Sequence, residues 1–495
     1  MKKIIKTLPL IMVIFMFGMI SCTHDNDVID TKPVAAFSSE IRIVNNNTAV
    51  LGIFKDASFD QNGKIVSWHW DFGDGTTSTE QSPTHTFDLG NYTVVLTVTD
   101  NNGNVNVNEF FKVLDLTVVV EPIRLWSYDL PGSISYSSPA VSDDGTVFIG
   151  ITEPNRAAGN PNFYALKNGS EVWKTLLPNG AQSDQIQSSA SISNDGSIYM
   201  TSLFERFIYK INAGNGAIEN SFKTNSRIRY CAPTFGLDGS VIIGNYNNND
   251  RGVRNLNPDL ATENWIFGVG INFNATATIA TDGTIYIGAM NGFLYAINPD
   301  GTEKWNVKYG TWTATTPAIG ADGTIYFAGE GNADNPTFKG ILSAYNPVDG
   351  SLKWTVGLTE KVNHGGPAIA PDGTIYLGGH DKQMVAYNPD GTQKWVYPVD
   401  SPIEVVPAID NDGNIYFGDT GGSFHVVSPE GEKKWKVTKL GDQITSAAAI
   451  GNDGTIYVGA NQAGIGKLYA LKTNATGLAT SGWPMFAKNA KHSGR

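Results

Sequence analysis

The chain has 495 residues, enough for two or three domains. Charged residues make up only 17%, Gly reaches 54 and aromatics 11%, a mix that fits a turn-rich all-β protein and argues against a helical bundle or a disordered chain. Net charge is −12 and no Lys/Arg run or basic stripe occurs, so nucleic acid is not expected as a partner, and a polyanion such as a sulfated glycan would need a local positive patch.

At the N-terminus, Lys2, Lys3 and Lys6 precede an apolar run from Leu8 to Ile20. This is the pattern of a secretory signal, and the run is short for a membrane span. It ends in Gly18-Met19-Ile20-Ser21-Cys22. A small residue followed by Cys resembles a bacterial lipobox, with Met19 where Leu is usual. The resemblance implies cleavage before Cys22, lipidation of Cys22 and attachment to a membrane through several acyl chains of the palmitate type. Loss of three lysines takes the mature charge from −12 to −15. The acidic stretch from Thr23 to Asp27 resembles the surface-export signal of Bacteroidetes-type lipoproteins, which implies an outer-membrane location facing the cell exterior. Residues 1–21 are therefore expected as signal peptide and 22–32 as tether. With Cys22 acylated, Cys231 has no disulfide partner, and in RYCAPTF it reads as a buried, inert thiol.

Residues 33–120 form the next expected unit. Val66, Trp68, Trp70 and Phe72 alternate with Ser67, His69 and Asp71, a period-two strand with one aromatic face. A Gly73-Asp74-Gly75 turn follows, and Tyr92, Val94, Leu96 and Val98 alternate again. The size and spacing suit an immunoglobulin-like β-sandwich. WDFGDG, the Pro83-Thr84-His85-Thr86-Phe87 stretch and the Gly-x-Tyr-x-Val strand resemble a PKD domain. That resemblance implies an extracellular spacer or weak interaction module. Asp71 and Asp74 are expected to cap turns and His85 to be a structural hydrogen-bonding residue.

Residues 121–495 are dominated by a repeat. DGTIYIGAMNGFLYAINPDGTEKW at Asp282–Trp305 returns as DGTIYLGGHDKQMVAYNPDGTQKW at Asp372 and DGNIYFGDTGGSFHVVSPEGEKKW at Asp412. Asp-Gly recurs at Asp144, Asp195, Asp238, Asp282, Asp322, Asp372, Asp412 and Asp453, about 40 to 50 residues apart. One such unit cannot bury its own apolar face, and this period belongs to four-stranded propeller blades. In the clearest copy the strands are expected at 277–279 (A), 284–289 (B), 293–298 (C) and 302–307 (D), with a two-residue Asp-Gly hairpin between A and B. An aromatic recurs in strand D at Trp126, Trp173, Phe222, Trp265, Trp305, Trp354, Trp395 and Trp435. Trp126 precedes the first Asp-Gly, so its strand is expected to complete the last of eight blades. The rival is a strand around Trp483.

These repeats, with the closing GWPMFAKNAKHSGR, resemble PQQ-like (pyrroloquinoline-quinone-type) propeller repeats. In the quinone-dependent dehydrogenases of that group, adjacent cysteines, an acidic calcium-binding set and a stacking Trp hold the cofactor. This chain has no adjacent cysteine pair and no matching acidic cluster, so neither bound quinone nor any other cofactor or metal is expected. Another branch, the outer-membrane assembly lipoproteins, uses the propeller as a protein-docking platform.

Function is expected on the face formed by the B-to-C and D-to-A loops, where the repeats diverge and insertions occur at 152–161, 246–254 and 330–338. Residues just before strand A should line the channel mouth. They are Tyr136, Gln185, Gln187, Arg227, Arg229, Tyr230, Asn272, Asn274, Tyr309, Trp312, Lys361, Asn363, His364 and Glu404, with His380 beside Asp381 in a B-to-C loop. Tyr136, Gln187, Arg229, Asn274, Trp312, Lys361, Asn363 and Glu404 form a ligand-binding set: aromatic faces stack on sugars, while amides and guanidinium groups bind hydroxyls, carboxylates or sulfates. The expected function is non-catalytic binding of a polysaccharide, an oligosaccharide or a surface protein in a glycan-utilisation system. The alternative is a lyase or dehydratase on uronate-containing glycans. There His364 or His380 would be the base, Tyr230 or Tyr309 the acid, and Arg227 or Arg229 would neutralise the uronate. A hydrolase would need paired carboxylates, for which Glu404 and Asp419 are the candidates.

Overall fold

The structure, a computed structural model, describes residues 31–44, 49–88, 91–108, 112–115, 123–152, 160–179, 182–183, 185–331, 337–473 and 475–495. The expected signal peptide, Cys22 and nearly all of the tether lie outside the described residues, as do 153–159 and 332–336 in two of the expected insertions. Among the described residues all regular structure is strand. No described helix is long and apolar enough to cross a membrane. The chain divides into two compact units, Met1–Val118 and Val119–Arg495.

In the first unit, one sheet pairs Phe37–Val44 with Ala49–Asp56 and that with Thr84–Asp88. A second is built on Ile65–Asp71 and Asn91–Asp100. Trp70, Phe54, Phe72 and Phe87 fill the core. The expected alternation fails at one point. Val66 is a bulge between the paired residues Ile65 and Ser67, so it turns outward at 48% exposure while Ile65 packs on the core. His85 stacks on Phe72 with centroids 4.2 Å apart and bonds Asp74 at 2.7 Å. Asp71 and Asp74 accept the Gly73 and Thr76 amides, which makes them turn caps.

In the second unit, eight four-stranded antiparallel sheets occur among the described residues. We number them as blades from Ala140. In blade 4 the strands are Thr278–Ile279, Ile285–Gly288, Phe293–Ile297 and Glu303–Lys308. The A-to-B turn corrects the expected two-residue hairpin. The Ala280 amide bonds the Thr284 carbonyl at 2.9 Å and the Gly283 amide bonds the Ala280 carbonyl at 3.0 Å, leaving three residues in the loop. Gly283 ends that loop at φ 84, a left-handed position that Gly takes without steric cost. The Asp282 carboxylate accepts the Thr284 amide, and the Asp of the Asp-Gly makes the same contact in every blade except blade 7, where Asp410 takes the Asn414 amide in place of Asp412.

The blades close into a ring. Ser138 of blade 1 bonds Ser189 of blade 2, Tyr230 bonds the Gln187 carbonyl, and Ala232 bonds Thr276. Thr278 then bonds the Pro317 carbonyl, Ala314 bonds the Asn363 carbonyl, and Ala447 of blade 8 bonds back to Ser138. The fourth strand of blade 8 is Ile123–Asp129, paired antiparallel to Ile465–Lys472 with Trp126 opposite Ala470. Trp483 supplies no blade strand. Its segment crosses the inner strands instead, bridging to Ile369.

The strand-D tryptophans hold neighbouring blades together. The indole N–H groups of Trp173, Trp265, Trp305, Trp354 and Trp395 donate to carbonyls of Ala213, Pro299, Pro347, Pro389 and Pro429 in the C-to-D turn of the next blade. Each satisfies its polar edge against the next blade, with the ring buried at Trp173 and Trp305 and half-buried at Trp265, Trp354 and Trp395. Replacing Trp305, 7% exposed, with Phe keeps a ring but removes the 3.0 Å bond to the Pro347 carbonyl, which is left with the longer bond from the Tyr286 hydroxyl at 3.4 Å. A loss of about 1–2 kcal/mol is expected in the denaturation midpoint, without change of fold.

Candidate functional site

The mouth of the ring follows from a fixed offset. The residue four positions before the first residue of strand A is Tyr136, Gln187, Tyr230, Asn274, Ala314, His364, Glu404 and Thr445 in blades 1 to 8. Two positions further on come Ser138, Ser189, Ala232, Thr276, Thr316, Gly366, Val406 and Ala447, all small except Val406. Large polar and aromatic side chains thus crowd the upper ring above a lower ring of smaller ones.

The upper ring converges on His364. Its imidazole lies 4.3 Å from the Tyr136 ring and 4.6 Å from the Tyr230 ring, and these two tyrosines meet edge to face at 4.8 Å. Trp312 reaches the same imidazole at 5.9 Å, past the small Ala314 of its own blade. The Tyr136 hydroxyl donates to Glu404 Oε2 at 3.1 Å, and His380 Nε2 bonds Glu404 Oε1 at 2.8 Å. Arg229 stacks on Tyr230 at 4.4 Å and donates through Nε to Gln187 Oε1 at 2.7 Å. Blades 1, 2, 3, 5, 6 and 7 therefore contribute to one cluster. Tyr136 and Tyr230 both hold left-handed backbone, φ 57 and φ 60, which bulky residues adopt only where surrounding structure imposes it.

The electrostatics favour a neutral imidazole. Burial pushes His364 down to about 4, outweighing the Glu404 carboxylate, which favours the charged form. Its Nδ1 is buried with no hydrogen-bond partner. Burial, with Glu404 second, raises the Tyr136 hydroxyl far above its ordinary value, and burial raises Tyr230 as well. Beneath the cluster lies a cavity of about 30 Å³, lined by Tyr136, Tyr230, His364, Glu404 and lower-ring residues and floored by Phe486. That volume holds about two waters.

The other expected mouth residues stand outside this cluster. Tyr309 is only 5% exposed; its hydroxyl donates to the Ala289 carbonyl and its ring packs edge-on against Phe327. Gly329 makes room for it, since a Cβ there would lie 2.5 Å from the Tyr309 ring. Arg227 lies over Phe204, 5.1 Å from the ring, with its backbone paired to Tyr246. Asn272 accepts the Asn247 amide and caps that loop, and the Gln185 carbonyl accepts the Leu203 amide. Lys361 faces Glu330 at 3.9 Å, and the Asn363 carbonyl accepts the Ala314 amide. Asn274 occupies its ring position at 3% exposure, with an unpaired Oδ1. Asp419 is fully buried against His425 at 3.0 Å, so it does not form a carboxylate pair with Glu404 at the mouth. Cys231 is fully buried, and burial raises its thiol well above the usual range. Phe486 was not foreseen, because the tail carries no blade periodicity. As a stability control, Tyr309→Phe should cost about 1 kcal/mol in a melt and leave ligand binding unchanged.

Residues 30–113 match the family model described as PKD domain, and residues 338–478 match the one described as Outer membrane protein assembly factor BamB. The chain thus carries a PKD domain and a PQQ-like repeat region of BamB type. Among curated proteins, Collagenase ColA of Bacillus cereus is 40% identical over 126 residues, which is 23% of this chain and 13% of the collagenase. The chain therefore spans about an eighth of that relative's length. Among solved structures, the quinohemoprotein alcohol dehydrogenase from Comamonas testosteroni aligns with a TM-score of 0.54 at 14% identity, over 70% of this chain and 76% of that one. The C-terminal WD40 domain of Sif2 aligns with a TM-score of 0.52 at 13% identity, over 72% of this chain and 99% of that one. At these identities the likeness is one of fold: WD40 domains are β-propellers.

The residues do not fit the quinone of the dehydrogenase branch. The chain has no adjacent cysteines. Among the described residues no group of three or more His, Cys, Asp or Glu is placed to hold a metal ion.

Proposed function

We propose that this chain is a lipid-anchored outer-membrane protein, facing outward, in which the PKD domain is a spacer and the propeller binds a glycan without transforming it. The observation that supports this reading is the convergence of Tyr136, Tyr230, Trp312, His364, Glu404 and Arg229 at one end of the ring. These residues, with Gln187 beside Arg229, combine aromatic surface with carboxylate, guanidinium and amide groups, the combination that recognises sugar rings and their substituents. A polysaccharide or oligosaccharide within a glycan-utilisation system is the proposed ligand, with a surface protein as the other candidate.

The lyase reading is weaker on chemical grounds. A histidine pushed down to about 4 is a poor proton acceptor at neutral pH. Tyr309 is buried away from the cluster, and Arg229 is engaged with Gln187 and Tyr230.

The test is incubation of the soluble chain with a panel of polysaccharides, followed for both retention and ultraviolet-absorbing product. Retention without product, weakened in graded fashion by His364→Ala and His380→Ala, is the expected result. Unsaturated product that disappears with either substitution would establish the lyase instead. Capture of a surface protein with no glycan retained would move the ligand to the protein class.

A further inference from the structure

At the end of the ring opposite the mouth, the inner strands present a row of equivalent backbone groups. The second residue of strand A is Val141, Ile192, Phe235, Ile279, Ile369 and Ile409 in blades 1, 2, 3, 4, 6 and 7. An inner edge of this kind leaves amides unpaired by its own sheet. Here all six donate to carbonyls of the C-terminal segment. The acceptors are Ala490 at 2.7 Å, Lys491 at 2.8 Å, Ser493 at 3.2 Å, Gly494 at 2.8 Å, Trp483 at 2.9 Å and Pro484 at 2.8 Å, in the same order. One short stretch of chain thus bonds six separate blades.

Side chains anchor it. Trp483, 2% exposed, enters the core cluster that includes Ile369 and Leu377, and Met485 enters the one that includes Ile450 and Val141. His492 is fully buried, with Nδ1 bonded to the Ala190 carbonyl at 2.9 Å, and it meets Phe486 edge to face at 5.0 Å. Two glycines permit the close approach. A Cβ on Gly482 would sit 2.4 Å from the Ile369 carbonyl oxygen, and one on Gly494 would sit 2.5 Å from Thr234. The segment has a hydrogen-bonded main chain and buried anchors along the inner edges, with Lys491 and Arg495 reaching Asp143 and the Gly236 carbonyl in the adjoining turns. That is how a bound peptide sits in a receptor groove.

We propose that the inner-strand edges on the Asp-Gly face form a peptide-binding site, and that residues 481–495 are its ligand, held in cis. The occupant is this chain's own segment. Through Phe486 it also floors the mouth cavity. The site thus ties six blades together and shuts the axial channel from below, independently of what the mouth binds.

The experiment separates ligand from receptor after folding. Thr480 and Ser481 are both exposed, so a protease site inserted between them in the full chain can be cut in the native protein. The 481–495 fragment should stay with the propeller through gel filtration. A labelled synthetic 481–495 peptide should exchange into the cut protein. The same peptide carrying Trp483→Ala should bind at least about 100-fold more weakly, as expected for loss of a buried Trp anchor. Separation of the fragment from the cut protein would overturn the proposal, whatever the melt then shows. So would equal exchange by the Trp483→Ala peptide, because the anchors would then not define the site.

Discussion

Deleting residues 123–129 from the full chain should cost the propeller at least about 3–5 kcal/mol, the penalty expected for losing a packed Trp alone. The strand makes six residue pairs with Ile465–Lys472. Trp126 packs on Tyr457 with centroids 5.9 Å apart, and its ring faces the turn at Gly169 of blade 1. Removal therefore strips blade 8 of its outer strand and blade 1 of its neighbour's staple. It also exposes Ile465–Lys472 as an unprotected edge, a template for pairing with other chains. The expected readout is a large fall in denaturation midpoint together with concentration-dependent association. A monomeric protein with an unchanged midpoint would show that closure does not rest on this strand.

Acid should weaken the propeller well above the range where carboxylates titrate. Burial pushes His364 and His492 each down to about 4. In the unfolded chain each returns to about 6.5. Between those values the unfolded state binds more protons, so stability rises with pH across the window and is complete above about 6.5. On falling pH the loss grows toward about 4, where it reaches on the order of 3 kcal/mol for each histidine. The groups around His364 are Glu404, Arg229, His380 and Lys361. His492 has only the Ala190 carbonyl, whose hydrogen bond favours the charged form less than burial opposes it. A separate window opens at lower pH. Partial burial raises turn carboxylates such as Asp282, Asp322 and Asp372, but hydrogen bonds from the threonine two residues on (Thr284, Thr324 and Thr374) hold them below their usual value. Stability from these groups is present above about 3.8 and is lost as pH falls through their folded values. Denaturation midpoints measured from pH 7 to pH 4 should therefore fall steadily, and His492→Gln should roughly halve the slope. A flat profile over that interval would mean that both imidazoles accept protons in the folded state.

The repeat makes most of the fold legible in the sequence. A strand bound to a turn of fixed chemistry has little freedom, and in blade 4 the expected strands lie within a residue or two of those found. The length of the Asp-Gly turn is not legible, because Asp caps a three-residue loop as readily as it enters a two-residue one. Val66 broke a clean alternation because a bulge changes which face a residue takes without changing its type. At the mouth, Tyr136, Tyr230, His364 and Glu404 were legible because all four stand at one offset from strand A. Tyr309 was not, because its burial depends on a glycine in a neighbouring strand, Gly329. The tail was opaque for a different reason. It has no period of its own and takes its register from six blades at once.

The most direct measurement is hydrogen exchange of the full chain with and without the polysaccharide that it retains. A mouth site predicts ligand-dependent protection in four segments far apart in sequence, 134–138, 228–232, 362–366 and 402–406, with the outer strands and the PKD domain unchanged. Protection confined to the outer strands or to the PKD domain, with those four segments exchanging as before, would contradict the account.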